Sequence, residues 1–275
     1  MNLVRAELLK IRTTNTWWIF GIVTFVLWIL AVLWNWGESY QLTQMTADGG
    51  LEGDGADQIV ASADPVNIAS TLYTSGQFLG LLMVLMLATI VVTNEYFHQT
   101  ATTTFLLTPR REAVVLAKLV ASVILGLIFW LVTTVLNLIA APILLTVLKV
   151  DLQLGEPAVW RAIGLNGLAY ALWAILGVGA GILIRSQLGA TITLSSVYVI
   201  GTFGTSLLFF LLTSQFGEGI NKLQVLVPTM ASDLMVSGKE LPGSPPQWVG
   251  VVVLIGYALI AGVLGTWIAK RRDVS

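Results

Sequence analysis

The sequence predicts an all-α, polytopic membrane protein with six spanning helices and both termini in the cytoplasm. Three observations carry that expectation. Six uncharged windows, 13–37, 68–94, 119–148, 162–184, 186–217 and 241–269, each exceed the ~20 residues needed to cross a bilayer core. The chain is 56% hydrophobic and only 11% charged, where a soluble domain carries about 25% charged residues. The charges are also sorted by side. With the N-terminus inside, the inner segments hold ten of the fourteen Lys and Arg and only four acids. The outer segments hold Lys149, Arg161, Lys222 and Lys239 against eleven acids. Cationic loops stay cytoplasmic, so the opposite topology would set nearly every charge against the rule.

The elements follow in order, and the whole chain reads as one transmembrane domain. Residues 1–14 form an amphipathic interfacial helix, with Leu3, Val4, Leu8 and Ile11 on one face and Arg5, Lys10 and Arg12 on the other. The first span, 15–36, is edged by Trp17, Trp18, Trp34 and Trp36, whose indoles prefer the headgroup zone. Its apolar run is bulky and no small-residue cleavage site follows, so it reads as an uncleaved span. The outer loop 38–67 is acidic, with no Lys or Arg. Its run from Asp48 to Gly55 has the composition of a calcium loop but neither the EF-hand spacing nor its terminal Glu, and reads as a solvated loop.

The second span is 70–94. The segment 95–112 then mixes charge with apolar residues on the cytoplasmic side. Pro109 ends any helix before it, and Arg110 and Arg111 sit at headgroup level. This predicts a short helix lying across the inner face. The third span, 114–147, contains Pro142 as a possible kink, and Lys118 can snorkel to the inner surface. The fourth span, 160–184, carries Gly177, Gly179 and Gly181, small residues that let helices approach closely, as do Gly76 and Gly80. A tight inner turn at Arg185-Ser186-Gln187 leads to the fifth span, 187–213. The outer segment 215–246 is too apolar for a free loop and too short to cross. It reads as a re-entrant or cap helix dipping into the outer leaflet before the sixth span, 247–269.

Absences narrow the chemistry. No apolar window contains Asp, Glu, Lys, Arg or His, which argues against a proton relay or a voltage sensor. His98 is the single His and Cys is absent, so a Ser/His protease, a multi-His metal enzyme or a thiolate site is not expected. No G-x-x-x-x-G-K-[ST] run is present, so the chain has no P-loop of its own. The intramembrane polar residues are mild. Gln77, Thr133, Asn137, Asn166, Ser195 and Thr202 are the candidates for lining a path, although most such groups simply bond helix to helix. The membrane part thus lacks an energy source yet offers an inner platform for a partner.

The inner segment reads Glu95-Tyr96-Phe97-His98-Gln99-Thr100, then Phe105-Leu106-Leu107-Thr108-Pro109-Arg110-Arg111, then Lys118. This is similar to the E-x-x-x-G-T…L-x-x-P…K loop of ABC-2 type, or type V exporter-fold, permease subunits, with Gln99 in place of the usual Gly. The opening Leu3–Arg12 stretch followed by Trp17-Trp18 resembles the amphipathic start of that family, and the resemblance covers the whole chain. It implies a permease subunit of an ATP-driven exporter in a bacterial plasma membrane. The N-terminal helix would be the connecting helix, and the inner segment a coupling helix seated in a separate ABC ATPase. Glu95, Tyr96, Phe97, Thr100, Phe105, Leu106, Leu107, Pro109 and Arg110 would be the coupling residues. Two permease copies, or a homologous pair, would work with two ATPases in the bilayer. ATP and Mg would sit on the partner, with no cofactor, catalytic residue or metal in this chain and no nucleic-acid partner. Glu95→Ala or Phe105→Asp is expected to uncouple ATP hydrolysis from transport with the fold intact. The alternatives are an ABC-linked sensor or immunity component that moves nothing, and an unrelated channel.

Overall fold

The computed structural model describes residues 2–47, 56–100 and 110–271. Among them there are ten α-helices, one 3-10 helix and no strand. Helix α1 spans Asn2–Thr13, α2 Thr16–Ala47, α3 Ala56–Ser62, α4 Pro65–Tyr73 and α5 Gln77–Phe97. Next come α6 Arg111–Val147, α7 Pro157–Ile184 and α8 Gln187–Phe216. The 3-10 helix Glu218–Leu226 precedes α9 Pro228–Val236, and α10 Gln247–Arg271 closes the chain. Six helical stretches are long and apolar enough to cross a membrane, with α4 and α5 together making one of them.

Local chemistry sets several boundaries. Asp64 accepts a bond from the Val66 amide and Pro65 fills the first helical position, so α4 starts there. Pro157 and Pro228 likewise open α7 and α9, there without a side-chain cap. Ser186 caps α8 by accepting from the Gly189 amide. Pro142 lies inside α6, which continues through it to Val147.

Helices α5 and α7 form the centre of the bundle and make its most extensive contact. Leu81, Val84, Leu85 and Ala88 of α5 meet Tyr170, Trp173, Ala174 and Val178 of α7. The approach depends on Gly177: a Cβ there would run into the Leu85 carbonyl, and the Thr89 hydroxyl instead donates to the Gly177 carbonyl at 3.0 Å. In a bilayer such close packing and hydrogen bonding drive association, because lipid tails are as apolar as the side chains. Helices α2, α8 and α10 lie outside this pair with most of their surface exposed.

The bundle has two distinct ends. Helix α1, the end of α5, the start of α6, the α7–α8 turn and the last turn of α10 gather at one, the loop end. There Lys270 pairs with Glu112, so both described chain ends lie on the same side. The other is the cap end, with α3, α4, the 3-10 helix and α9. It is tied across by Arg161 donating to the Gly238 carbonyl at 2.7 Å and by Lys239 paired with Asp64 at 2.7 Å.

Candidate functional site

The site forms at the loop end, where a chain leaving α5 re-enters at α6. Four charges close a ring there. Lys10 Nζ bonds Glu7 Oε1 and Glu95 Oε1, each at 2.7 Å. Lys118 Nζ bonds Glu7 Oε2 at 2.8 Å and Glu95 Oε1 at 2.9 Å. Each cation touches both anions, so the ring is neutral. Glu95 and Lys118 are only 7% and 4% exposed. Taking such charges out of water is costly unless each is paired and hydrogen-bonded, and here each has two opposite partners. Burial by itself would raise the Glu7 carboxyl, but Lys118 and Lys10 outweigh it and hold Glu7 below its ordinary value. Burial would likewise lower Lys10, yet its bonds to Glu7 and Glu95 hold it above. An apolar patch of Ile11, Val91 and Ala121 lies under the ring and seats α1 on α5 and α6.

Lys118 is therefore not the snorkelling residue that its place at a helix end suggested. It points inward, because two carboxylates offer it stronger partners than headgroup water. Glu7 shares the packed face with Val4, Leu8 and Ile11, where an amphipathic reading expects an apolar side chain. Glu95 likewise differs from the expectation of a residue whose loss leaves the fold intact. Its carboxylate faces the ring, so its truncation leaves two ammonium groups to share the single Glu7 carboxylate.

The exit from α5 is a helix cap. The Thr100 amide donates to the Glu95 carbonyl at 2.9 Å, and the Gln99 amide donates to the Tyr96 carbonyl at 3.2 Å. Gln99 has φ 56°. This is the left-handed Schellman pattern, in which the residue after the cap turns the chain away from the helix axis. It gives a physical meaning to the Glu95-x-x-x-Gln99-Thr100 spacing: the first residue anchors the ring and the last two cap the helix. Gln99 performs the turn without being Gly, at the steric cost of a left-handed side chain. Gln99→Gly is expected to stabilise the cap by up to ~1 kcal/mol, offset in part by the freer unfolded chain. Thermal unfolding of the two proteins side by side measures the difference, and Gln99→Val should move it the other way.

The other loop residues fall around this base. Tyr96 is half-buried under the Arg185 guanidinium, 5.2 Å from its ring centre, which ties the α7–α8 turn to the loop. Phe97 and Thr100 are exposed, and Arg110 is exposed at the start of α6. Phe105, Leu106, Leu107 and Pro109, and with them the expected coupling helix, lie outside the described residues, as does the acidic run 48–55.

The six intramembrane polar candidates are not brought together. Asn137 is buried and donates to the Tyr73 and Ser75 carbonyls at 3.1 and 2.9 Å, while its Oδ1 accepts from Trp28 Nε1 at 2.7 Å. It thereby covers the break between α4 and α5, where Gly76 takes φ 86°. Thr133 is buried and bonds back to its own helix. Asn166 is buried, with Oδ1 unpaired among the described residues. Gln77 donates to the Ser232 carbonyl at 2.9 Å, and Thr202 pairs with Thr229 at 2.9 Å. These two fasten α9 to α5 and α8. Ser195 is half-buried and bonds the Thr191 carbonyl.

The family model described as ABC-2 family transporter protein matches residues 1–274. No curated protein matches the chain.

Proposed function

The chain belongs to the ABC-2 family of transporter proteins, and from that premise we propose that it is the membrane-spanning subunit of an ATP-driven exporter. The family places it as a multi-pass membrane component of a transporter that works with an ABC ATPase. On our reading that ATPase is a separate chain carrying ATP and Mg, this chain catalyses nothing itself, and the loop end faces the cytoplasm of a bacterial cell. The 98–110 segment is the contact. Two copies of this chain, or this chain and a homologue, enclose the path with two ATPases below.

The observation that supports this reading best is the ion ring. It joins α1, the end of α5 and the start of α6 at the base of one short segment. A push on that segment would therefore reach three helices together rather than bending a loose loop. Glu95 and Lys118 act here as positioning residues, while Phe97 and the unburied part of Tyr96 are available to touch the partner. A bistable bundle whose two states bind nucleotide differently would convert ATPase closure into opening towards the cap end. Gln77 and Thr202 would hold α9 as part of the cap over that path.

The deciding test is capture of the cognate ABC ATPase by the detergent-solubilised chain, repeated with the 95–111 sequence scrambled. Loop-dependent capture, with ATP-dependent transport in vesicles, is the expected result. Absence of capture in every condition sinks the reading.

A further inference from the structure

A second site lies on the outer flank of the bundle, away from the ring. Helices α6, α7 and α10 leave a groove of about 570 Å³ between them, with Leu119, Ile175, Leu259 and Val263 among its walls. The walls are almost wholly apolar, and the groove is open along its side. It runs along α10 from Ile255 to Lys270. At 1.5 Å per residue that is roughly 22 Å, about half of a bilayer of 40–45 Å with its headgroups. At the loop end the groove reaches Lys270, which also lines a second cavity of about 640 Å³ with Arg110, Arg111 and Glu112. So an apolar trough one leaflet deep ends in a pocket of three cations and one acid.

We propose that this groove and pocket bind one anionic phospholipid, with an acyl chain along α10 and the headgroup phosphate between Arg110 and Lys270. Charge complementarity selects the occupant. A zwitterionic lipid would fill the trough equally well but gains nothing net from the positive charge that Arg110 adds beside the Lys270–Glu112 pair. A soluble anion would use the pocket and ignore the trough. Lys270 is paired with Glu112, and both side chains are exposed enough for a phosphate to take the ammonium. Arg111, which leans on the Ala269 carbonyl at 3.5 Å, braces α6 against α10 beside it. A lipid held there would tie α10 to the first turn of α6, immediately after the coupling segment. Arg110 also closes the segment assigned to the ATPase contact, but lipid retention by the chain alone is read without any ATPase, so the site can fail without disturbing that reading.

Native mass spectrometry of the purified chain tests it, with phosphatidylglycerol and phosphatidylcholine of equal chain length added separately, and with inorganic phosphate as a third arm. Phosphatidylglycerol should be retained in preference. Arg110→Gln and Lys270→Gln should each weaken it about fivefold, the effect of one basic residue near a lipid surface. Val263→Trp, which fills the trough without touching charge, should weaken both lipids. All three positions are on the surface, and a melting curve confirms that each variant is folded. Equal retention of the two lipids, indifference to all three variants, or displacement of phosphatidylglycerol by inorganic phosphate would each overturn the proposal.

Discussion

Lys118→Met is expected to abolish ATP-driven transport and to lower the stability of the loop end by about 3 kcal/mol, the low end of the cost of breaking a buried ion pair. The low end applies because Lys10, the second cation, is half exposed and stays in place. The substitution keeps the length of the side chain and removes only its charge. Glu7 and Glu95 then face a single ammonium, and the second lone pairs of both carboxylates lose their donor. Helix α1 should loosen first, since it is held by this ring and a small apolar patch. Amide exchange across Asn2–Thr13 reports that directly, beside a melting curve in detergent. Glu7→Gln combined with Lys118→Met leaves Lys10 and Glu95 as a neutral pair, and should recover much of the stability. If transport stays lost in that double variant while α1 is protected again, the ring serves to transmit motion as well as to hold α1. Unchanged exchange and melting in Lys118→Met would remove the ring from the account of both.

How much of this was legible in the sequence depends on the range of the signal. The six spans were readable because a bilayer demands long uncharged runs, a local property of composition. The loop at Glu95–Lys118 was readable as a motif, and the close approach at Gly177 as a small-residue pattern. The ring itself was not. Glu7 and Lys118 are 111 positions apart, and nothing local distinguishes a carboxylate that will be buried from one at the surface of an amphipathic helix. The one available signal was Glu7 on the same helical face as Leu8 and Ile11, a charge on the side expected to pack. The break in the second span was hidden for a different reason. The second window crosses Thr74-Ser75-Gly76-Gln77 without a charge, and that short polar stretch reads as part of one span until α4 and α5 are seen as separate helices meeting at the left-handed Gly76.

That break supports the other large prediction. Asn137→Leu is expected to destabilise the protein by about 3 kcal/mol or more, against the ~0.6 kcal/mol typical of an intramembrane hydrogen bond. The typical value is small because a polar side chain that loses one partner in a bilayer usually finds another. Asn137 differs in what it satisfies. The Tyr73 and Ser75 carbonyls accept its amide at a helix interruption, and among the described residues neither accepts a backbone N–H across the break. Water is excluded there, so a leucine, similarly branched but apolar, would leave two carbonyls and the Trp28 indole N–H unmet. Trp28→Phe separates the contributions, since it leaves both carbonyls satisfied and only Asn137 Oδ1 unmet, and should cost about 1–2 kcal/mol. Unfolding in mixed micelles would compare the two. Equal losses would mean that the break is not what Asn137 supports. A much larger loss for Asn137→Leu would show that the direction of α4, and with it the placement of the cap that α4 carries through Asp64 and Lys239, depends on one amide in α6.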